Sequence, residues 1–125
     1  MMNSPLTLDI PFARKVLEHL LAHPEEHSQN YFGVQQSCGT TACIAGTAVL
    51  MDPESIPTWS TSFVSSEVTQ MTHVVVDGTS MDVEDRAAQL LGLDFVDTNK
   101  LFYNFNDAAA LDLFASYIDQ AEAAQ

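Results

Sequence analysis

Residues 39–51, Gly-Thr-Thr-Ala-Cys-Ile-Ala-Gly-Thr-Ala-Val-Leu-Met, contain the longest apolar run of the chain, and we expect the rest of the fold to pack around them. The threonines at the start of this segment can cap a helix. Asp52-Pro53 ends it, because the residue before a proline is disfavoured in the α region. On a helical wheel, apolar side chains cover every side, which is typical of a buried helix. Alanines and Gly46 would let neighbouring backbones approach closely. The pattern therefore predicts a buried central helix over about 41–51.

Apolar residues at helical spacing and capping residues predict further helices on both sides of this segment. We expect one helix from about Pro11 to His23. A second begins near Ser80 or Asp82 and ends at Gly92, which suits the left-handed position after a helix. A short helix capped by Asp97 and a last helix from Asn106 to about Glu122 follow.

Residues 62–76 are rich in Val, Thr and Phe, which favours strands over a helix. We expect a small β-hairpin with strands at about 62–68 and 72–76. The predicted fold class is therefore α+β and mostly α, with four to five helices around the central helix (about 41–51) and the hairpin (about 62–76). At 125 residues, the chain should form a single globular domain, 1–125.

The composition is that of a globular but strongly acidic protein. Seventeen Asp and Glu face four Lys and Arg, for a net charge of −13, while 46% of the residues are hydrophobic. This charge argues against direct binding to nucleic acid or to an anionic membrane. The charge then serves binding to basic proteins, binding to cations, or solubility alone. The N-terminal residues lack the pattern of a signal peptide, and the longest apolar run is too short to span a bilayer. We therefore expect a cytoplasmic protein with reduced cysteines.

Several segments resemble a known family. They are His23-Pro24-Glu25, Cys38-Gly39-Thr40-Thr41-Ala42-Cys43-Ile44-Ala45-Gly46, Leu90-Leu91-Gly92-Leu93 and Leu101-Phe102. The chain resembles small uncharacterised bacterial proteins, notably actinobacterial, and phage proteins that share a Cys-Gly-Thr-x-x-Cys-Ile-Ala-Gly core. It departs from them at Thr47, where an aromatic residue is usual. The resemblance implies a shared helical core and a phage origin, and it implies no activity.

Two cysteines and two histidines are the candidates for chemistry. Gln36-Ser37-Cys38-Gly39 is similar to the segment around a papain-like nucleophile, but the second cysteine and the aromatic residue that follow in that pattern are absent, and too few residues remain downstream for the paired histidine. His19 and His23 share a helix face, and with Cys38 and Cys43 they form a weak alternative set of zinc ligands. A Cys38–Cys43 disulfide would require Cys38 to lie outside the helix. We predict no metal and no cofactor, with both cysteines packed as small apolar residues.

The carboxylate-rich C-terminal half is the remaining candidate for function. No catalytic motif is present, so we predict a protein that is not an enzyme. We expect a small acidic binding protein, phage or mobile-element encoded, that acts on the basic surface of a host protein, for instance a nucleic-acid-binding effector. A DNA-mimic inhibitor of a defence system is one form of this function. The alternative is a housekeeping domain that binds a small ligand or a metal, with charge serving only solubility. The predicted partner-binding residues are Asp82, Glu84, Asp85, Asp94 and Asp97.

Overall fold

The computed structural model describes residues 8–36, 39–61 and 69–124. Within these ranges the chain forms five α-helices and one antiparallel five-stranded sheet. The helices are α1 (Ile10–Ala22), α2 (Ile44–Leu50), α3 (Val83–Leu91), α4 (Phe95–Phe102) and α5 (Asp107–Ala123). The strands are β1 (Val34–Gln36), β2 (Gly39–Thr41), β3 (Ile56–Thr61), β4 (Thr69–Val76) and β5 (Thr79–Met81). A short 3₁₀ turn, Pro24–Glu26, follows α1.

The predicted fold class, mostly α with a small hairpin, is wrong, because the described residues include a full sheet. Its strands run in the order β2-β1-β4-β3, and β5 pairs with β4. Strands β1, β2 and β5 have only three residues each, too few to show the alternation of apolar and polar residues that marks a strand. Strand β3 contains Pro57, and a proline is more typical of a loop than of a strand. Its place at the edge of the sheet makes the missing N–H tolerable.

One of the two predicted hairpin strands can be compared with the structure. The segment 62–68 lies outside the described residues, whereas 72–76 forms the second part of β4. A different hairpin joins β4 to β5, with Val76 opposite Thr79. Its two turn residues, Asp77 and Gly78, both have positive φ, 54° and 80°. This is the backbone that Asp-Gly favours in a two-residue hairpin turn, so the dipeptide carried a signal for a strand at β5 that our sequence reading missed.

Helix α2 is the buried central helix, although it is shorter than the predicted 41–51. Residues 39–41 form β2 and pair with β1 instead, and Cys43 becomes the N-cap, with its Sγ accepting a hydrogen bond from the Gly46 N–H at 3.4 Å. Every residue from Ile44 to Val49 is buried. At Gly46, a Cβ atom would lie 1.5 Å from the carbonyl oxygen of Phe32. The close backbone approach that the small residues suggested is therefore present.

The other helices begin and end near their predicted positions. Asn106 caps α5, accepting from the Ala109 N–H at 2.9 Å, and Gly92 ends α3 in the left-handed conformation with φ 76°. The predicted cap of α4 is wrong. Asp94, not Asp97, is its N-cap, and it accepts from the Asp97 N–H at 2.8 Å. Both carboxylates lie where a helix start favours negative charge, so the capping pattern alone could not separate them.

The core lies between the helices and one face of the sheet. It is formed by fully buried side chains from all five helices and from β4, including Leu20, Ile44, Val74, Leu91, Leu101 and Phe114. Helix α2 contacts α1, α3 and β3, which places it at the centre of this packing. Among the described helices, none combines the length and apolar character that crossing a membrane would need.

Candidate functional site: an acidic face beside an aromatic pocket

The five predicted partner-binding carboxylates lie on two helices that contact each other, α3 and α4. Asp82 is the N-cap residue of α3, and Glu84 and Asp85 occupy its first turn. Asp94 is the N-cap residue of α4, and Asp97 lies in its first turn. We call this set the acidic face.

The members of the acidic face are not equally available to a partner. Asp82 and Asp85 are exposed. The Asp94 carboxylate accepts a hydrogen bond from the Asp97 N–H at 2.8 Å, and the Asp97 carboxylate accepts one from the Tyr117 hydroxyl at 3.3 Å. Glu84 accepts one from the Tyr103 hydroxyl. Three of the five carboxylates therefore also have a structural role.

Two shifted pKa values report the electrostatics of this face. Partial burial raises the pKa of Glu84, and the neighbouring charges of Asp82 and Asp85 raise it further. Burial also raises the pKa of Tyr117, and Asp97 adds to the effect by its charge and its hydrogen bond. In both cases nearby carboxylates disfavour a further negative charge, so the face carries a negative potential.

A groove lies between α3 and the start of α4. Its volume is about 360 Å³, and its lining includes Met81, Asp85, Leu93, Asp94 and Phe95. The Phe95 side chain is 80% exposed, and Val96 beside it is also exposed. Apolar surface is therefore available next to two of the predicted carboxylates.

A second concave site is lined mainly by aromatic side chains, and we call it the aromatic pocket. Its volume is about 250 Å³. Two of its rings come from the loop before β1 and three from the end of α4 and the segment after it: Tyr31, Phe32, Phe102, Tyr103 and Phe105. Met71, Cys43 and the amides Gln29, Asn30 and Gln70 complete most of its wall, and no acidic, basic or histidine side chain is among the described residues that line it.

A buried glutamine holds the two aromatic segments together. Gln29 is 2% exposed, and its Oε1 accepts hydrogen bonds from the Ile44 N–H and from Nε2 of His27, both at 2.9 Å. Its Nε2 donates to the carbonyl oxygens of Leu101 and Asn104, both at 3.2 Å. The loop that carries Tyr31 is thus tied to the start of α2 and to the end of α4. Every polar atom of the Gln29 side-chain amide has a hydrogen-bond partner. Burying this amide therefore leaves no polar group unpaired, and the network makes the two segments rigid.

Tyr103 connects the aromatic pocket to the acidic face. Its ring lines the pocket, and its hydroxyl donates a hydrogen bond to Glu84 on α3. The two sites therefore adjoin each other at Tyr103 and Glu84. The role of the carboxylates in binding a partner stays a prediction. Sequence reasoning missed the pocket, whose signal was the pair of adjacent aromatics at 31–32 in an otherwise polar connection.

Cys43 does not have the environment of a nucleophile. Its side chain is 2% exposed, and burial raises the pKa of its thiol to about 11, although backbone N–H groups at the start of α2 oppose the rise. The thiol is therefore neutral at neutral pH. Cys38 lies outside the described residues.

The alternative zinc set, His19, His23, Cys38 and Cys43, is only partly brought together. Cys43 lines the aromatic pocket, whereas His19 lines a different cavity with Glu26. His23 stays close to His19, with ring centroids 4.7 Å apart. Among the described residues, the donor atoms that converge with His23 belong to Glu25 and Glu26.

Comparison with protein-family models, with curated proteins and with solved structures found no match to this chain.

Proposed function

We propose that this protein binds a basic protein partner, which the acidic face attracts and the aromatic pocket anchors by accepting one cationic side chain. The observation that carries the proposal is the contact between Tyr103 and Glu84, which places the pocket next to one carboxylate of the acidic face. Attraction between opposite charges speeds encounter and selects the sign of the partner. A pocket lined by aromatic side chains then supplies the specific contact.

The chemistry of the pocket supports a cation as its occupant. An arginine or lysine head group is attracted to the faces of aromatic rings, by about 0.5–2 kcal/mol. An anion would enter against a net charge of −13. At about 250 Å³, the pocket is smaller than the roughly 300–1,000 Å³ that is common for small-molecule sites. This size supports a single side chain better than a cofactor.

The apolar groove next to the acidic face would add area to the same interface. Exposed Phe95 and Val96 are large apolar side chains beside Asp94. Aromatic anchors surrounded by a charged rim are common in protein interfaces. The narrower predictions, DNA mimicry and a phage origin, stay predictions, and so does a cytoplasmic location.

The proposal is tested with a short fluorescein-labelled peptide of alternating arginine and glycine, measured by fluorescence anisotropy. The matched ligand has citrulline in place of arginine, which keeps the shape and removes the charge. We expect Phe105→Ala to weaken binding of the arginine peptide about tenfold, equivalent to about 1.4 kcal/mol. Phe105 is largely exposed, so the fold should tolerate the change.

A charge variant tests the second part of the proposal. Asp82→Asn with Asp85→Asn should weaken binding and reduce its dependence on salt, because screening acts on exposed charges. The control is Asp112→Asn with Asp119→Asn, which removes the same charge from exposed positions of α5. Equal binding of the arginine and citrulline peptides would contradict the cationic anchor. Equal effects of the two double variants would contradict a localised acidic face.

A further inference from the structure

A cluster of histidine and glutamate side chains lies at the C-terminal end of α1, on residues that the proposed function does not use. His23 is the C-cap residue of α1, and its N–H donates to the His19 carbonyl oxygen at 3.0 Å. The 3₁₀ turn Pro24–Glu26 then folds the chain back toward the helix. Because His19 and His23 are four residues apart, they lie on the same helix face. The turn brings Glu25 and Glu26 to that face.

Three donor atoms converge there. Nδ1 of His23 is 3.7 Å from Oε2 of Glu25 and 3.7 Å from Oε2 of Glu26, and the donor atoms of the three residues lie within 4.8 Å of one another. A four-coordinate zinc ion with bonds of about 2.0–2.2 Å places its ligand atoms about 3.3–3.6 Å apart. The side chains of His23, Glu25 and Glu26 are 46%, 69% and 42% exposed, which leaves them room to rotate toward this spacing.

His19 holds one of these ligands in place. Its Nε2 is 3.0 Å from Oε1 of Glu26, which leaves Oε2 of the same carboxylate facing His23. A hydrogen bond that orients a ligating carboxylate is a common feature of protein metal sites. His19 and Glu26 also line a cavity of about 200 Å³ with Thr40, Thr47 and Met51. A concave space therefore borders the cluster.

We propose that His23, Glu25 and Glu26 bind a divalent metal ion of the zinc type, with His19 as a positioning residue for Glu26. Two carboxylates balance the charge of the ion, and the acidic chain attracts cations in general. The imidazole nitrogen favours zinc over magnesium and calcium, which prefer oxygen ligands alone. Three protein donors leave a position of a four-coordinate ion for water or a small ligand.

The test is isothermal titration of the metal-free protein with Zn²⁺ in a buffer that does not bind metal, with Mg²⁺ and Ca²⁺ as comparison ions. We expect one zinc ion per chain. His23→Ala and Glu26→Gln should each weaken zinc binding at least tenfold, and Glu25→Gln should weaken it less, because its side chain is the more exposed carboxylate. The matched control is His73→Ala, an exposed histidine on β4 whose imidazole lies near Asp82. It should leave zinc binding unchanged.

His19 needs a separate test because it acts through Glu26. His19→Ala should weaken zinc binding without changing the melting temperature of the metal-free protein, and His19→Gln should restore part of the affinity, because an amide N–H can also donate to Oε1. Zinc binding that is absent, or unchanged by His23→Ala and Glu26→Gln, would overturn the proposal. So would zinc binding that is lost in Cys38→Ser and kept in His23→Ala, which would assign the ion to a thiol site.

Discussion

Replacing Gly46 by alanine gives the sharpest test of how the core is organised, because two physical effects predict opposite signs. Alanine in the interior of a helix is normally more stable than glycine by about 0.5–1 kcal/mol. In this fold, however, the new Cβ would lie 1.5 Å from the carbonyl oxygen of Phe32 and 2.6 Å from its carbonyl carbon. Real Cβ atoms essentially never approach a neighbour closer than 3.0 Å, so α2 and this backbone segment must separate by at least 1.5 Å, the difference between 3.0 and 1.5.

The cost of that movement follows from what holds the segment. The Tyr31 carbonyl accepts from the Cys43 N–H at 2.9 Å, and the Gly33 carbonyl accepts from the Met71 N–H at 2.8 Å. Overpacking costs about 1–3 kcal/mol, and losing the two flanking hydrogen bonds costs about 1 kcal/mol each. The sum is about 3–5 kcal/mol. For a domain of this length, we expect the melting temperature of Gly46→Ala to fall by about 10–20 °C.

Thermal unfolding followed by circular dichroism measures this effect, and Gly78→Ala is the matched control. A Cβ at Gly78 meets no atom within 4 Å, but its φ of 80° is unfavourable for alanine. That strain costs about 1–2 kcal/mol, so the control should melt at a temperature between those of Gly46→Ala and the parent. A Gly46→Ala protein that melts within about 2 °C of the parent, or above it, would refute the close contact between α2 and the loop before β1.

One labelling experiment and two substitutions test other contacts. Native Cys43 should react slowly with iodoacetamide and rapidly once the protein is unfolded, because burial raises the pKa of its thiol to about 11; fast native labelling would contradict its packing. Gln29→Leu leaves the Ile44 N–H and two carbonyl oxygens without their partner, so unfolding in urea should show a loss of about 3 kcal/mol or more, whereas a loss below about 1 kcal/mol would argue against the network. Arg86→Leu removes hydrogen bonds at 2.9 Å to Asp52 and at 3.0 Å to Ser55 and should cost about 2–3 kcal/mol at pH 7. Burial alone would raise the pKa of Asp52, but its bonds from Ser55 and Arg86 lower it. The stability it contributes is therefore present above the ordinary carboxyl range and is lost as the pH falls through its folded value, so the difference between parent and variant in urea should shrink below about pH 4.

Helices were predictable from the sequence wherever periodicity and capping agreed. The Asn106 side chain accepts a hydrogen bond from a backbone N–H that the start of α5 leaves unpaired. Gly92 adopts the left-handed conformation that lets its N–H bond to a carbonyl oxygen at the end of α3. Asp94 and Asp97 were confused because both are suitable near a helix start. For α2, the apolar wheel identified the burial correctly but extended the helix over 41–43. In the structure Thr41 pairs with β1, Ala42 forms a bridge with His27, and Cys43 is the N-cap.

The sheet and the aromatic pocket depend on contacts between distant residues. β1 pairs with β4 through Val34 and Gln70, and β4 pairs with β3 around a register shift after Thr58. Neither pairing leaves a mark in a short local window. The aromatic pocket is equally non-local, since Gln29 reaches carbonyl groups more than 70 residues away. The carboxylates of the acidic face were easier to assign to helix starts, because they lie at the N-termini of two consecutive helices. Their role in binding stays a prediction.

Phe32 contributes both to the stability of the fold and to the proposed binding site. This determines which substitutions can distinguish an effect on binding from an effect on folding. The Phe32 backbone lies against Gly46, while its side chain lines the aromatic pocket. A seven-residue helix such as α2 is not stable alone, so it depends on this loop and on Gln29, and the loop depends on it in turn. A change at Phe32 would therefore alter folding and binding together. Phe105 is exposed and lies outside this contact. A Phe105 variant that loses binding while its melting temperature is unchanged would therefore report on the pocket alone.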